Sequence, residues 1–245
     1  MKGMIFAAGI GSRLKPFTDL HPKALVEVGG RPMLYHVIEH MATIGITDIV
    51  VNVHHFASQI IKYLVDNNNF GLNISISAES DRLLDTGGGL AKALPLLGYN
   101  DSILVHNADI LTNVNLSDLI KANDTTTDAT MLCATRTSSR QLYADAHGRL
   151  CGWQNLTTTE TKPAGFQPNG LQQVAFSGIQ IVNPSLLPKL QAYAKGNDCF
   201  SIVPFYLDCL NSLDIRLYQS SNPYQWFDVG KPQTLTAARE WICRS

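Results

Sequence analysis

An ordered alternation of short apolar runs with helix-period patterns, starting at the first residues, constrains this chain more than any other feature. Met4–Ala8 has the length and apolarity of a buried strand, Met33–Ile44 repeats apolar residues at helical spacing, and Asp48–Val53 is again strand-like. Ser58–Val65 and Gly89–Leu97 continue the helical pattern, with Asn73–Ser77 and Ser102–Asn107 as further strands. Strands and helices in this order bury helices on both faces of a parallel sheet. The expected fold is therefore α/β and Rossmann-like, three layers with a mostly parallel mixed central sheet. Sheets of this kind bind ligands beyond the carboxyl ends of their strands. The glycines after Ala8 and Asp109 after Asn107 should then share one edge.

The second half is more mixed. Ala129–Thr135, Val174–Val182 and Asp214–Gln219 read as strands, Asn183-Pro184-Ser185 as a turn and helix start, and Thr234–Cys243 as a closing helix. Trp226–Val229 is a short extended segment, and the Thr-, Gly- and Pro-rich stretch Gly152–Gly170 suggests a long surface excursion. With no repeat or linker, residues 1–245 are expected to form one domain, divided functionally near residue 130.

A net charge of −1 gives no basic field for nucleic acid, so a small anionic ligand held by local cations is the better expectation. No apolar run reaches membrane-spanning length, and a strand near residue 3 leaves no room for a leader. Five scattered cysteines without a CxxC pair suggest neither zinc nor a disulfide framework, which fits a reducing cytoplasm.

The loop after the first strand carries the chemistry. Gly9-x-Gly11-x-Arg13 lacks the third glycine of a dinucleotide fingerprint, since position 14 is leucine, and no Gly-Lys-Ser/Thr step follows. Glycines there let a backbone approach phosphates, and Arg13, Lys15 and Lys23 follow in order to neutralise them. Taken together, Ala7-Ala8-Gly9-x-Gly11-Ser12-Arg13-Leu14-x-Pro16-x-Thr18, Pro22-Lys23-x-Leu25 and Gly30-x-Pro32 resemble the signature of the sugar-1-phosphate nucleotidylyltransferases. Four further segments carry the resemblance to about residue 232: Leu84-Asp85-Thr86-Gly87-Gly88-Gly89, Asn107-Ala108-Asp109, Phe176-Ser177-Gly178-Ile179 and Trp226-Phe227-Asp228-Val229-Gly230-Lys231-Pro232. Alanine stands at 24 and 108, where the family usually has proline and glycine. Neither departure removes a charge.

The resemblance implies transfer of a nucleoside monophosphate from a triphosphate to a sugar 1-phosphate, releasing pyrophosphate. It implies Mg²⁺ on Asp109 and Asp228, a donor set of two carboxylates that suits that ion. It assigns Ala8, Gly9, Gly11, Ser12, Arg13 and Lys15 to the nucleotide, with Lys15 equally readable as a solvated lysine. Arg13 and Lys23 stabilise charge on the reacting phosphates. Gly87 and Gly88 would offer backbone N–H groups to the base, and Ser177 and Gly178 would meet the sugar. The nucleotide half would be about 1–130 and the sugar half about 131–245. UTP and an amino sugar such as N-acetylmuramate 1-phosphate are the favoured pair. Guanylyl transfer to mannose or heptose 1-phosphate, cytidylyl transfer to phosphocholine, and a catalytically silent subunit stay open. A monomer or small homo-oligomer is expected. Glu79, Asp81 and Asp85 are each candidates to touch base or sugar. Lys162 reads as an exposed loop lysine more readily than as a sugar-phosphate contact, and His54 and His55 as structural.

Overall fold

The computed structural model describes residues 1–244. Its central sheet has ten strands. The block formed by Ile103–Asn107, Lys2–Phe6, Asp48–Val53 and Asn73–Ala78 is wholly parallel, as the alternating pattern predicts. Gln172–Val182 adds antiparallel to Ile103–Asn107 and carries Ala129–Ala134 and Arg140–Ala144 beside it. Leu150–Asn155 and Thr161–Lys162 continue that side antiparallel, and Ile215–Gln219 pairs parallel with Ala129–Ala134.

Strand side chains alternate between two cores, the consequence of a two-residue repeat in a sheet covered on both faces. Met4, Val50 and Val105 face the helices Asp85–Leu97, Leu187–Ala194 and Ile202–Asp208. Ile5, Val51 and Leu104 face Met33–Ala42, Ala57–Asp66 and Leu116–Ala122. A third cluster packs Leu14 of the glycine loop and Met33 against Val229 and Ala238. That contact sets the loop bearing Arg13 beside the turn after Asp228.

Several boundaries differ from those expected. The first strand is Lys2–Phe6, so Ala7 and Ala8 already belong to the loop. The Asp85–Leu97 helix begins four residues before Gly89 and takes all three glycines into its first turns. The stretch Gly152–Gly170 is mostly exposed turn and loop, as expected, but it also holds a short antiparallel pairing of Trp153 and Gln154 with Lys162 and Thr161. The helix Leu116–Ala122, opened by the Asn115 side chain accepting the Ser117 N–H, was not expected. Neither was Ile202–Asp208, whose β-branched and aromatic residues mimic a strand and whose Pro204 sits in the first turn, where helices tolerate it.

Candidate active site

The first strand delivers Ala7, Ala8 and Gly9 into a cavity of about 170 Å³, shared with Lys23, Asn52, Asp85 and Asp109. The glycine loop and Asp109 thus lie at one sheet edge. A buried network fixes this cavity's wall. The Ala7 N–H donates to Asn52 Oδ1 at 2.8 Å, and Asn52 Nδ2 donates to Glu79 Oε1 at 2.7 Å. The other Glu79 oxygen accepts the Leu84 N–H at 2.8 Å. Glu79 is 1% exposed, and with both oxygens engaged it braces three segments and is not free for a ligand. His54 Nδ1 meets the Glu79 carbonyl at 2.6 Å, the structural part expected of it.

Two carboxylates distant in sequence meet because Trp226–Asp228 pairs antiparallel with Ile110–Thr112, setting Asp228 opposite Ile110. The Val229 N–H donates to the Asp109 carbonyl at 2.8 Å and closes the corner. Lys23, almost buried, forms an ion pair with Asp109 and lies 3.9 Å from Asp228 Oδ1. A Cβ added at Gly230 would sit 2.6 Å from Asp228 Oδ1, 2.9 Å from Lys23 Nζ and 3.1 Å from Arg13 Nη2. Those three charged ends therefore converge on one point that only glycine leaves open. Asp228 Oδ1 is buried and has no hydrogen-bond partner. An acceptor-only oxygen in that state is suited to a cation, and Mg²⁺ takes few protein carboxylates, completing its shell with phosphate and water. No group of three or more His, Cys, Asp or Glu side chains capable of holding a metal exists among the described residues. Lys15 is turned away from this cluster and pairs with Asp19 at 2.8 Å, while Ser12 is exposed on the loop.

Gly87 and Gly88 do not present free donors. Both N–H groups donate to the Phe200 carbonyl, at 2.8 and 3.1 Å. A Cβ on Gly88 would meet the Asp198 carbonyl oxygen at 1.9 Å, and one on Gly87 the Phe200 ring at 2.4 Å. These glycines are buried to let the 198–202 strap lie against the helix entry, and in this arrangement their N–H groups are not available to a base. The strap is laced down further. Phe200 donates its N–H to the Leu84 carbonyl, Ile202 donates to Thr86 Oγ1, and Arg82 pairs with Asp198.

A second cavity of about 1030 Å³ opens beside the first, and Asp85, Thr86, Asn107 and Asp109 line both. Its floor is the sheet's antiparallel side, and Asp228 stands at its edge. Gly178 lines it with φ of +78°, a left-handed conformation that produces the register shift between Phe176 and Gln180. Ser177 does not line it. That side chain is fully buried and accepts a hydrogen bond from Arg136 at 3.0 Å. Arg136, which sequence reasoning missed, lies 4.0 Å from the centroid of the Trp226 ring and also donates to the Ala175 and Phe176 carbonyls. Its position just past the apolar strand Ala129–Ala134, like that of Asp109 past Asn107, was the available signal. Lys162 lines the cavity as well, 3.6 Å from Asp208, and is not the exposed loop lysine expected, because it sits in a paired edge strand.

The parallel block, the glycine loop and the two neighbouring carboxylates meet at one edge of an α/β sheet. The nucleotidyl transferase family model matches residues 2–245, and the chain belongs to that family. It is 32% identical over 201 residues to the N-acetylmuramate alpha-1-phosphate uridylyltransferase of Neisseria meningitidis serogroup B, covering 78% of this chain and 79% of the relative. It is 29% identical over 236 residues to the mannose-1-phosphate guanyltransferase of Hypocrea jecorina, covering 95% of this chain. The chain spans 62% of that relative's length. HddC from Yersinia pseudotuberculosis, solved with GMP-PN, superimposes with a TM-score of 0.76 at 21% identity, over 98% of this chain and 99% of that one. No helix among the described residues is long and apolar enough to cross a membrane.

Proposed function

We propose that the chain transfers a nucleoside monophosphate from a nucleoside triphosphate to a sugar 1-phosphate, releasing pyrophosphate. The convergence of Arg13, Lys23 and Asp228 around Gly230, with Asp109 paired to Lys23 where two cavities join, carries this reading. The smaller cavity takes the nucleoside against Ala8 and Gly9, and the larger takes the acceptor against Gly178. An acceptor phosphate oxygen is already ionised at neutral pH, so in-line attack on the α-phosphorus needs no protein base or nucleophile. The residues position the reactants and neutralise charge.

Asp109 and Asp228 would hold Mg²⁺, which supplies charge neutralisation at the phosphates. Lys23 exchanges its carboxylate partner for the α-phosphate, and Arg13 holds the departing pyrophosphate from the glycine loop. UTP with an amino-sugar 1-phosphate is the favoured pair, and the uridylyltransferase relative supports it. The guanyltransferase relative gives GTP with mannose 1-phosphate equal support. Pyrophosphate release tests both. UTP, GTP, CTP and dTTP are crossed against N-acetylmuramate, N-acetylglucosamine and mannose 1-phosphates and phosphocholine, with Mg²⁺. Turnover with one sugar phosphate is expected, and folded protein that releases none from any pair would overturn the reading.

A further inference from the structure

Three acidic residues surround the helix entry, and only one of them is placed to meet a ligand. Glu79 is 1% exposed, with both oxygens engaged inside the wall. Asp81 is exposed and lines neither cavity. Asp85 lines both. It is also held at φ of +59°, a left-handed conformation that costs a non-glycine residue energy and that glycine would adopt freely. Aspartate is one of the few non-glycine residues that adopt it, and here it sets the carboxylate where the two cavities join.

We infer that Asp85 is a specificity-determining residue that accepts a hydrogen bond from a hydroxyl or amide N–H on the acceptor's sugar ring. The inference rests on the nucleotidyl-transfer reading of the same site. One Asp85 oxygen accepts the Thr86 N–H at 2.6 Å, and the other accepts the Ser201 hydroxyl. An ionised carboxylate offers about four acceptor positions, so roughly half stay open. Ser201 lines only the larger cavity, which turns that side of the carboxylate toward the acceptor and away from the nucleoside. Asp85 is acceptor-only, so it selects donor groups. Asp109, the other carboxylate shared by the cavities, is already paired with Lys23.

Asp85→Gly and Asp85→Asn test this, because glycine removes the carboxylate and relieves the backbone together. Binding of N-acetylmuramate 1-phosphate and mannose 1-phosphate is titrated calorimetrically, beside steady-state rates and thermal unfolding. In Asp85→Gly the acceptor's Kd and KM should rise about tenfold or more, the loss expected of a hydrogen bond to a charged group. The triphosphate Kd should hold, and the thermal midpoint should move by only a few degrees, since relief of the backbone offsets part of the lost bonds to Thr86 and Ser201. Asp85→Asn, which keeps one carbonyl acceptor, should restore part of the acceptor affinity. An unchanged acceptor Kd, a loss confined to the triphosphate, or wild-type protein that binds neither sugar phosphate would each overturn the assignment. Binding of a sugar phosphate without pyrophosphate release from any pair would overturn the activity and leave the Asp85 contact standing.

Discussion

Gly230 and Gly88 are positions where one added carbon has opposite kinds of consequence. At Gly230 the neighbours are the ends of Asp228, Lys23 and Arg13, which are free to move aside. Gly230→Ala should therefore leave the unfolding midpoint nearly unchanged and lower kcat by about a hundredfold, since a small displacement of fixed charge is costly to catalysis. At Gly88 the neighbour is the backbone carbonyl of Asp198. Gly88→Ala should gain helix propensity yet lose about 1–3 kcal/mol in denaturant unfolding, because overpacking against backbone outweighs propensity. His106 gives a pH signature. Its Nδ1 meets the Asn107 carbonyl at 2.9 Å, and its Nε2 is buried without a partner. Burial first, then the proximity of His40, holds its pKa down to about 3. The unfolded chain takes up that proton near pH 6.5, so stability is lost as pH falls from about 6.5 toward 3, by at most about 1.4 kcal/mol per pH unit. Guanidinium midpoints between pH 4 and 7 should slope less in His106→Gln than in the parent, and equal slopes would refute this.

Among the elements, the network from Ala7 through Asn52 and Glu79 to Leu84 makes the wall of the smaller cavity a single unit. Glu79→Gln puts a donor where an acceptor is needed on one side, facing either Asn52 Nδ2 or the Leu84 N–H. A loss of about 1–3 kcal/mol in unfolding free energy is expected, the penalty of an unsatisfied buried polar group. An isoenergetic variant would show that the wall relaxes. Strands of the parallel block were legible in sequence because burial on both faces makes them continuous apolar runs, as in Asp48–Val53. The helix Ile202–Asp208 was not legible, since tertiary contact of Phe205 and Tyr206 with the core overrides a strand-like composition. The triple glycine marked the right segment, and in the fold Gly87 and Gly88 pack tightly against the 198–202 strap. A free backbone and a closely packed one both call for glycine, and only the position of Phe200 separates them.

For the whole molecule, most of the charged site could be read from local motifs, because Arg13 and Lys23 lie in the loop after the first strand and Asp109 and Asp228 stand at strand ends. Their meeting could not, since it depends on Leu14 and Val229 sharing a cluster. The lining of the larger cavity was least legible. Arg136, Asp85 and Ser201 are carried by separate elements joined only through the folded sheet. Burial also predicts unequal protection across the molecule. Amides of Ile5, Val51 and Leu104, in strands with neighbours on both sides, should exchange with deuterium most slowly. Those of the exposed 156–160 turn should exchange fastest, and uniform rates across both would contradict a single stable core.

The pairing of Trp226–Asp228 with Ile110–Thr112 also has a consequence in time. A ribosome makes Asp109 and the strand that follows it long before the strand bearing Asp228. The growing chain can complete its parallel block, close the wall of the smaller cavity and expose the glycine loop while it still lacks the second carboxylate. On the proposed reading, a nascent chain therefore stays silent until the segment bearing Asp228 has been made and has paired with Ile110–Thr112.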